Sequence, residues 1–178
     1  MIAKALSYIK NIRTTGAVYE SSRYVTREIT NEININKPQV IVELGPGSGN
    51  ITESILLKLH PESILYCFEI EPYFYEHLER IKDPRFHLIK KSAADVSRYL
   101  DVSSVDVVIS TLPLSFFDES DRERLLNDCY SLLKVGGVFR QFLYSRRKNY
   151  FDTIFDKMEM VVALNIPPGI LYSCYKQN

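Results

Sequence analysis

The stretch "VIVELGPGSGNITESI", residues 40 to 55, passes from a β-branched apolar run through a glycine-rich turn into a helical pattern. Gly45, Gly47 and Gly49 let the backbone come close to a ligand. The helix that follows aims free amides and the positive end of its dipole at the same point. A ligand seated at the carboxyl end of a strand is the natural reading, although a plain turn would use the same glycines. Glu69 adds a second feature: it ends the next apolar run, 20 residues after Gly49, where a carboxylate can accept from both hydroxyls of a ribose. Glu71 is left to cap the helix that begins near Pro72. Glu43, just before the turn, would repel a pyrophosphate and suits a cationic ligand.

Outward from this stretch the chain keeps one organisation. "PQVIVEL" (38 to 44), "SILYCFEI" (63 to 70), "RFHLIK" (85 to 90), "VDVVIS" (105 to 110) and "GGVFRQFLY" (136 to 144) are short apolar runs. Helical patterns separate them at about 50 to 59, 73 to 81 and 119 to 133, with a shorter one near 95 to 100. Near-continuous apolar strands alternating with helices predict a parallel sheet covered on both faces, an α/β architecture. The runs at 158 to 166 and 170 to 176 are joined by "PPG" alone, too short for a parallel crossover, so an antiparallel hairpin is expected there.

The chain divides into residues 1 to 34 and a core of residues 35 to 178 within one domain. In the first part Ile2, Ala5, Leu6, Ile9 and Ile12 share a helical face, with Lys4, Lys10 and Arg13 largely opposite. Ser21 or Ser22 can cap a second helix running to about Asn34. The 22 basic and 22 acidic residues cancel, so the broad positive field of a nucleic-acid binder is missing and no stable nucleic-acid partner is expected. Cys67, Cys129 and Cys174 have neither metal-knuckle nor redox-pair spacing and read as buried thiols in a reducing compartment. No run approaches the ~20 apolar residues that span a bilayer. The expected location is cytoplasmic, or peripheral on the inner face of a membrane.

"VELGPGSGNIT", "FEIEP" and "LLKVGG" together resemble the class I S-adenosylmethionine-dependent methyltransferases, over about residues 15 to 176. Within that family the chain is most similar to bacterial phospholipid N-methyltransferases, relatives of the ribosomal RNA adenine dimethylases. "TGAVYESSR", "STLPL", "QFLYS" and "NIPPGILY" carry this narrower resemblance. It implies a Rossmann-like sheet of seven strands in the order 3-2-1-4-5-7-6 with the last antiparallel. It further implies S-adenosyl-L-methionine as cofactor, with Glu43, Gly45, Gly47 and Gly49 around the methionine part, Glu69 on the ribose, and Ser92 and Ala93 at the adenine. At that last place relatives commonly have Gly-Asp-Ala and this chain has Lys91-Ser92-Ala93, with Asp95 a weaker substitute.

The methyl acceptor is expected over Thr111, Leu112 and Pro113, with Tyr144 at the rim. Adenine methyltransferases use the Asn and Tyr of Asn-Pro-Pro-Tyr at this point to bond and stack the base. Thr111 and Leu114 supply neither, and Leu114 reads as an apolar wall. The expected substrate is therefore phosphatidylethanolamine, reached from an anionic membrane surface through residues 1 to 13. An RNA or DNA adenine N6-methyltransferase and a small-molecule amine methyltransferase are the alternatives.

Overall fold

The computed structural model describes residues 23–165 and 167–178. The expected basic helix and the Ser21 or Ser22 cap fall outside these residues. Seven strands form one sheet in the order β3-β2-β1-β4-β5-β7-β6. They are β1 (Val40–Leu44), β2 (Ile64–Phe68), β3 (Phe86–Ile89), β4 (Val105–Ser110), β5 (Leu133–Leu143), β6 (Lys157–Ala163) and β7 (Gly169–Tyr175). Strands β1 to β5 pair in parallel, while β7 runs antiparallel to both β5 and β6. The order and the antiparallel closure are those the resemblance implies.

Among the described residues four α-helices accompany the sheet: α1 (Arg23–Ile29), α2 (Asn50–Leu56), α3 (Pro72–Leu78) and α4 (Glu119–Leu132). Alternation along the strands sends side chains to two cores. Val42, Leu44, Val108 and Phe139 pack beneath α4 with Leu126 and Cys129. Ile41, Leu65, Val107 and Val138 pack on the opposite face with Val25 and Ile29 of α1 and Ile51 and Ile55 of α2. Each such buried branched side chain contributes roughly 1.5–3 kcal/mol. Cys67, Cys129 and Cys174 are all buried free thiols.

Three boundaries differ from expectation for local reasons. Helix α1 stops at Ile29 instead of reaching Asn34. Side chains there compete for the backbone: Gln39 accepts from the Asn34 amide at 2.6 Å, and the Asn34 side chain accepts from the Asn36 amide at 2.9 Å. Strand β5 reaches back to Leu133, because its register against β4 slips between Val105 and Val107 and absorbs Gly136 at φ +83°. Gly169 belongs to β7 rather than to the turn, opposite Ala163, and a Cβ there would run into the Phe142 ring.

Arg140, 3% exposed on β5, ties α1 to the sheet. Its guanidinium donates to the Ser173 hydroxyl at 2.7 Å, to a Glu32 carboxylate oxygen at 3.3 Å and to the Glu28 carbonyl. Among the described residues no helix is long and apolar enough to cross a membrane.

Candidate active site

Strand order reverses between β1 and β4, the switch point beyond whose carboxyl-end loops open α/β sheets place ligands in a crevice. Gly45–Gly49 follow β1, and Thr111–Pro113 follow β4.

Gly45, Gly47 and Gly49 all have positive φ, at 76°, 56° and 90°. At Gly47 nothing lies within 4 Å of where a Cβ would stand, so the backbone faces open space. At Gly45 the same construction meets Leu112 Cδ2 at 2.8 Å. At Gly49 it touches Leu78 and Ile81 at 3.4 and 3.7 Å. Gly47 therefore leaves room for a ligand, Gly45 leaves room for the opposite loop, and Gly49 fits the loop against α3.

Glu69 is 6% exposed. One carboxylate oxygen accepts from the Ile70 and Glu71 amides, each at 2.8 Å, and the other from the Gly47 amide at 3.1 Å. Burial raises its pKa, and these amides pull the other way. A carboxylate offers about four acceptor sites, so one remains on the oxygen that faces Gly47. Glu71 occupies the N-cap position of α3 without a side-chain capping hydrogen bond.

Glu43 is 2% exposed, with its carboxyl enclosed beneath the loop by the Thr52 hydroxyl at 2.7 Å and the Cys67 thiol at 3.2 Å. Burial pushes its pKa up to about 7, with a smaller push from Glu69, against the two hydrogen bonds. Burial, with the Glu43 carboxylate beside it, raises the Cys67 thiol well above its usual range. The Glu43 carboxyl lies beneath the loop, where it accepts from Thr52 in the first turn of α2.

Ser92 caps a 3₁₀ turn at Ala93–Arg98, accepting from the Ala94 amide at 3.2 Å. Ala93 is buried in the core, and Asp95 is paired with Arg98 at 2.9 Å.

On the acceptor side the Thr111 hydroxyl donates to the Gly45 carbonyl at 3.2 Å, which joins the two loops directly. The Leu112 side chain lies over Gly45. Leu114 is not a wall of the crevice: it is fully buried in the α4-side core and anchors a 3₁₀ turn at Leu114–Phe116. Tyr144 sits beyond the end of β5, 52% exposed, edge-on to Phe142 at 5.0 Å, and its hydroxyl accepts from Asn165 at 3.4 Å.

Two residues passed over in the sequence lie at the centre of the acceptor loop. The Ser110 hydroxyl accepts from the Leu112 amide at 3.3 Å, and Gln141 Nε2 donates to the Leu112 carbonyl at 3.0 Å. Both are fully buried. The signal for Gln141 was the polar pair Arg140-Gln141 inside an otherwise apolar strand.

The backbone at Gly47 faces open space beside the buried Glu69 carboxyl, and Leu112 packs over Gly45 next to it. Comparison with known proteins shows the family. The model of a methyltransferase domain matches residues 42–139. An ornithine lipid N-methyltransferase of Singulisphaera acidiphila is 26% identical, over 94% of this chain and 91% of its own length. A ribosomal RNA small subunit methyltransferase A of a Sulfurihydrogenibium species is 37% identical, over 96% of this chain and 73% of its own. Among solved structures, a Burkholderia thailandensis 1,6-didemethyltoxoflavin-N1-methyltransferase with bound 1,6-didemethyltoxoflavin and S-adenosylhomocysteine superposes with a TM-score of 0.69 at 12% identity. It matches 98% of this chain and 87% of that one.

Proposed function

The chain belongs to the methyltransferase-domain family of S-adenosyl-L-methionine-dependent enzymes, and on that premise we propose that it methylates the amine of a membrane lipid head group, phosphatidylethanolamine first among candidates. The residues present fit the cofactor: a positive-φ glycine cradle with open space at Gly47, and a buried carboxylate with one acceptor site left. The bound cofactor supplies an electrophilic methyl on a sulfonium. Gly45, Gly47 and Gly49 hold its methionine part, Glu69 its ribose, and Ser92 and Ala93 the adenine edge. A grip by Glu69 on both ribose hydroxyls requires the Gly47 amide to release one carboxylate oxygen, so ligand binding loosens that contact.

Methyl transfer is an in-line displacement, and the protein's main task is to align a neutral amine and exclude water. Thr111, Leu112 and Pro113 form the floor on which the amine is aligned, with Tyr144 at the rim. Desolvation over Leu112 favours the neutral amine.

One observation carries the lipid reading. Where adenine enzymes place an amide and a ring, Thr111 spends its hydroxyl on Gly45 and Leu114 turns into the core. Neither bonds nor stacks a flat base. The near-complete overlap with the ornithine lipid relative supports the same choice. The identity to the ribosomal RNA relative favours adenine in RNA as the second reading.

Purified protein incubated with methyl-labelled cofactor and phosphatidylethanolamine vesicles is expected to label the lipid. Label appearing only on small-subunit ribosomal RNA, with none on vesicles, would select the second reading.

A further inference from the structure

We infer that Ser110 and Gln141 are positioning residues that clamp the Leu112 peptide unit and so hold the acceptor loop against the glycine loop. The inference rests on the methyltransferase reading and not on which amine is methylated.

Ser110 ends β4 and Gln141 lies beside it in register on β5, so both side chains leave the same face of the sheet. Ser110 takes the Leu112 amide and Gln141 takes the Leu112 carbonyl, which grips the residue at both backbone groups. The Leu112 carbonyl also accepts from the Leu114 amide at 2.8 Å. Both of its lone pairs are then engaged, and it has none left for a substrate amine.

The orientation of Gln141 is fixed by its surroundings. Nε2 lies between two carbonyls, those of Leu112 at 3.0 Å and Phe142 at 2.8 Å. Turning the amide over would set oxygen against both of them. That leaves Oε1 buried with no hydrogen-bond partner. An apolar side chain would fill the same core position without an orphaned acceptor, so stability alone does not account for a glutamine here. What the amide supplies is the hold on Leu112, whose side chain is already at contact distance from Gly45. A loop pinned in this way presents Thr111 and Pro113 to the crevice in one conformation, and misplacing an acceptor by ~1 Å costs on the order of a hundredfold in rate.

The test uses the full chain with Gln141→Leu, Ser110→Ala and Ser110→Thr, each read by amide exchange and by calorimetry with S-adenosylhomocysteine. Gln141→Leu and Ser110→Ala are expected to speed exchange across residues 112–117 by about tenfold or more, while β7 stays protected. S-adenosylhomocysteine affinity should stay within about threefold, and kcat on the labelled acceptor should fall about ten- to a hundredfold with little change in KM. Ser110→Thr keeps the hydroxyl and should restore protection. Unchanged exchange across 112–117 in both Gln141→Leu and Ser110→Ala overturns the inference. So does a loss of S-adenosylhomocysteine affinity that parallels the loss of kcat. If Gln141→Leu unfolds, Ser110→Ala against Ser110→Thr decides it. Exchange and calorimetry need no methyl acceptor, so a wild-type protein inactive on lipid contradicts the lipid proposal and leaves the clamp to be judged on those two readings.

Discussion

The loop after β1 is shaped by its own backbone, whereas the loop after β4 is held in place by side chains from neighbouring strands. Gly45, Gly47 and Gly49 adopt positive φ, and the acid that pins Gly47 ends the adjacent strand. Thr111–Leu114 has no glycine, and its shape comes from Ser110 beneath, Gln141 beside it and Leu114 sunk into the core. Backbone constraints appear in a sequence as residue types at fixed spacing. Side-chain clamps depend on register between strands distant in the chain and leave little local trace.

Gly45→Ala strikes both loops at once. The new Cβ adds left-handed strain of about 1–2 kcal/mol and drives into Leu112, so cofactor binding and methyl transfer should both fall, by roughly a hundredfold or more. Gly47→Ala carries the strain without the clash and should cost binding alone, about tenfold. Calorimetry with S-adenosylhomocysteine on the two variants ranks them; equal losses would show that the loops are not in contact in solution.

Glu69→Ala should confine its damage to the glycine-loop side. It removes the acceptor for three amides and the proposed ribose contact, and S-adenosylhomocysteine affinity is expected to fall by about ten- to a hundredfold. Unchanged affinity would refute the ribose assignment.

The smallest effect is a pH dependence. The Glu43 carboxyl stands near 7 in the fold against an ordinary 4.5, because burial disfavours its charge. Stability from its protonated form is fully present below about 4.5, declines through the interval and is lost above about 7. Glu43→Gln removes this dependence, so the Tm of the variant relative to the native chain should rise between pH 5 and pH 8. A difference in Tm that stays flat over that range would mean that Glu43 is ionised throughout.

The same contrast governs what was legible in the sequence. Apolar runs and their helical spacers located the seven described strands and the three helices of the core, and the short link before Gly169 gave the antiparallel closure. The tight turn at Gly45, Gly47 and Gly49 was legible because backbone geometry dictates its residue types, and Glu69 ends the neighbouring strand against it. The Glu43 position was legible from the motif, but its enclosure by Thr52 and Cys67 was not, because neither partner is predictable from spacing. Leu114 read as a wall because an apolar residue after a strand gives no sign of whether it turns outward or into the core. Ser110 and Gln141 were missed because only strand register brings them together.

The most direct test of the central claim is a single reaction containing phosphatidylethanolamine vesicles, small-subunit ribosomal RNA, methyl-labelled cofactor and the full chain, with label counted in the separated lipid and RNA. The account predicts label in the lipid head group and none above background in the RNA. Label confined to adenine in the RNA would contradict it.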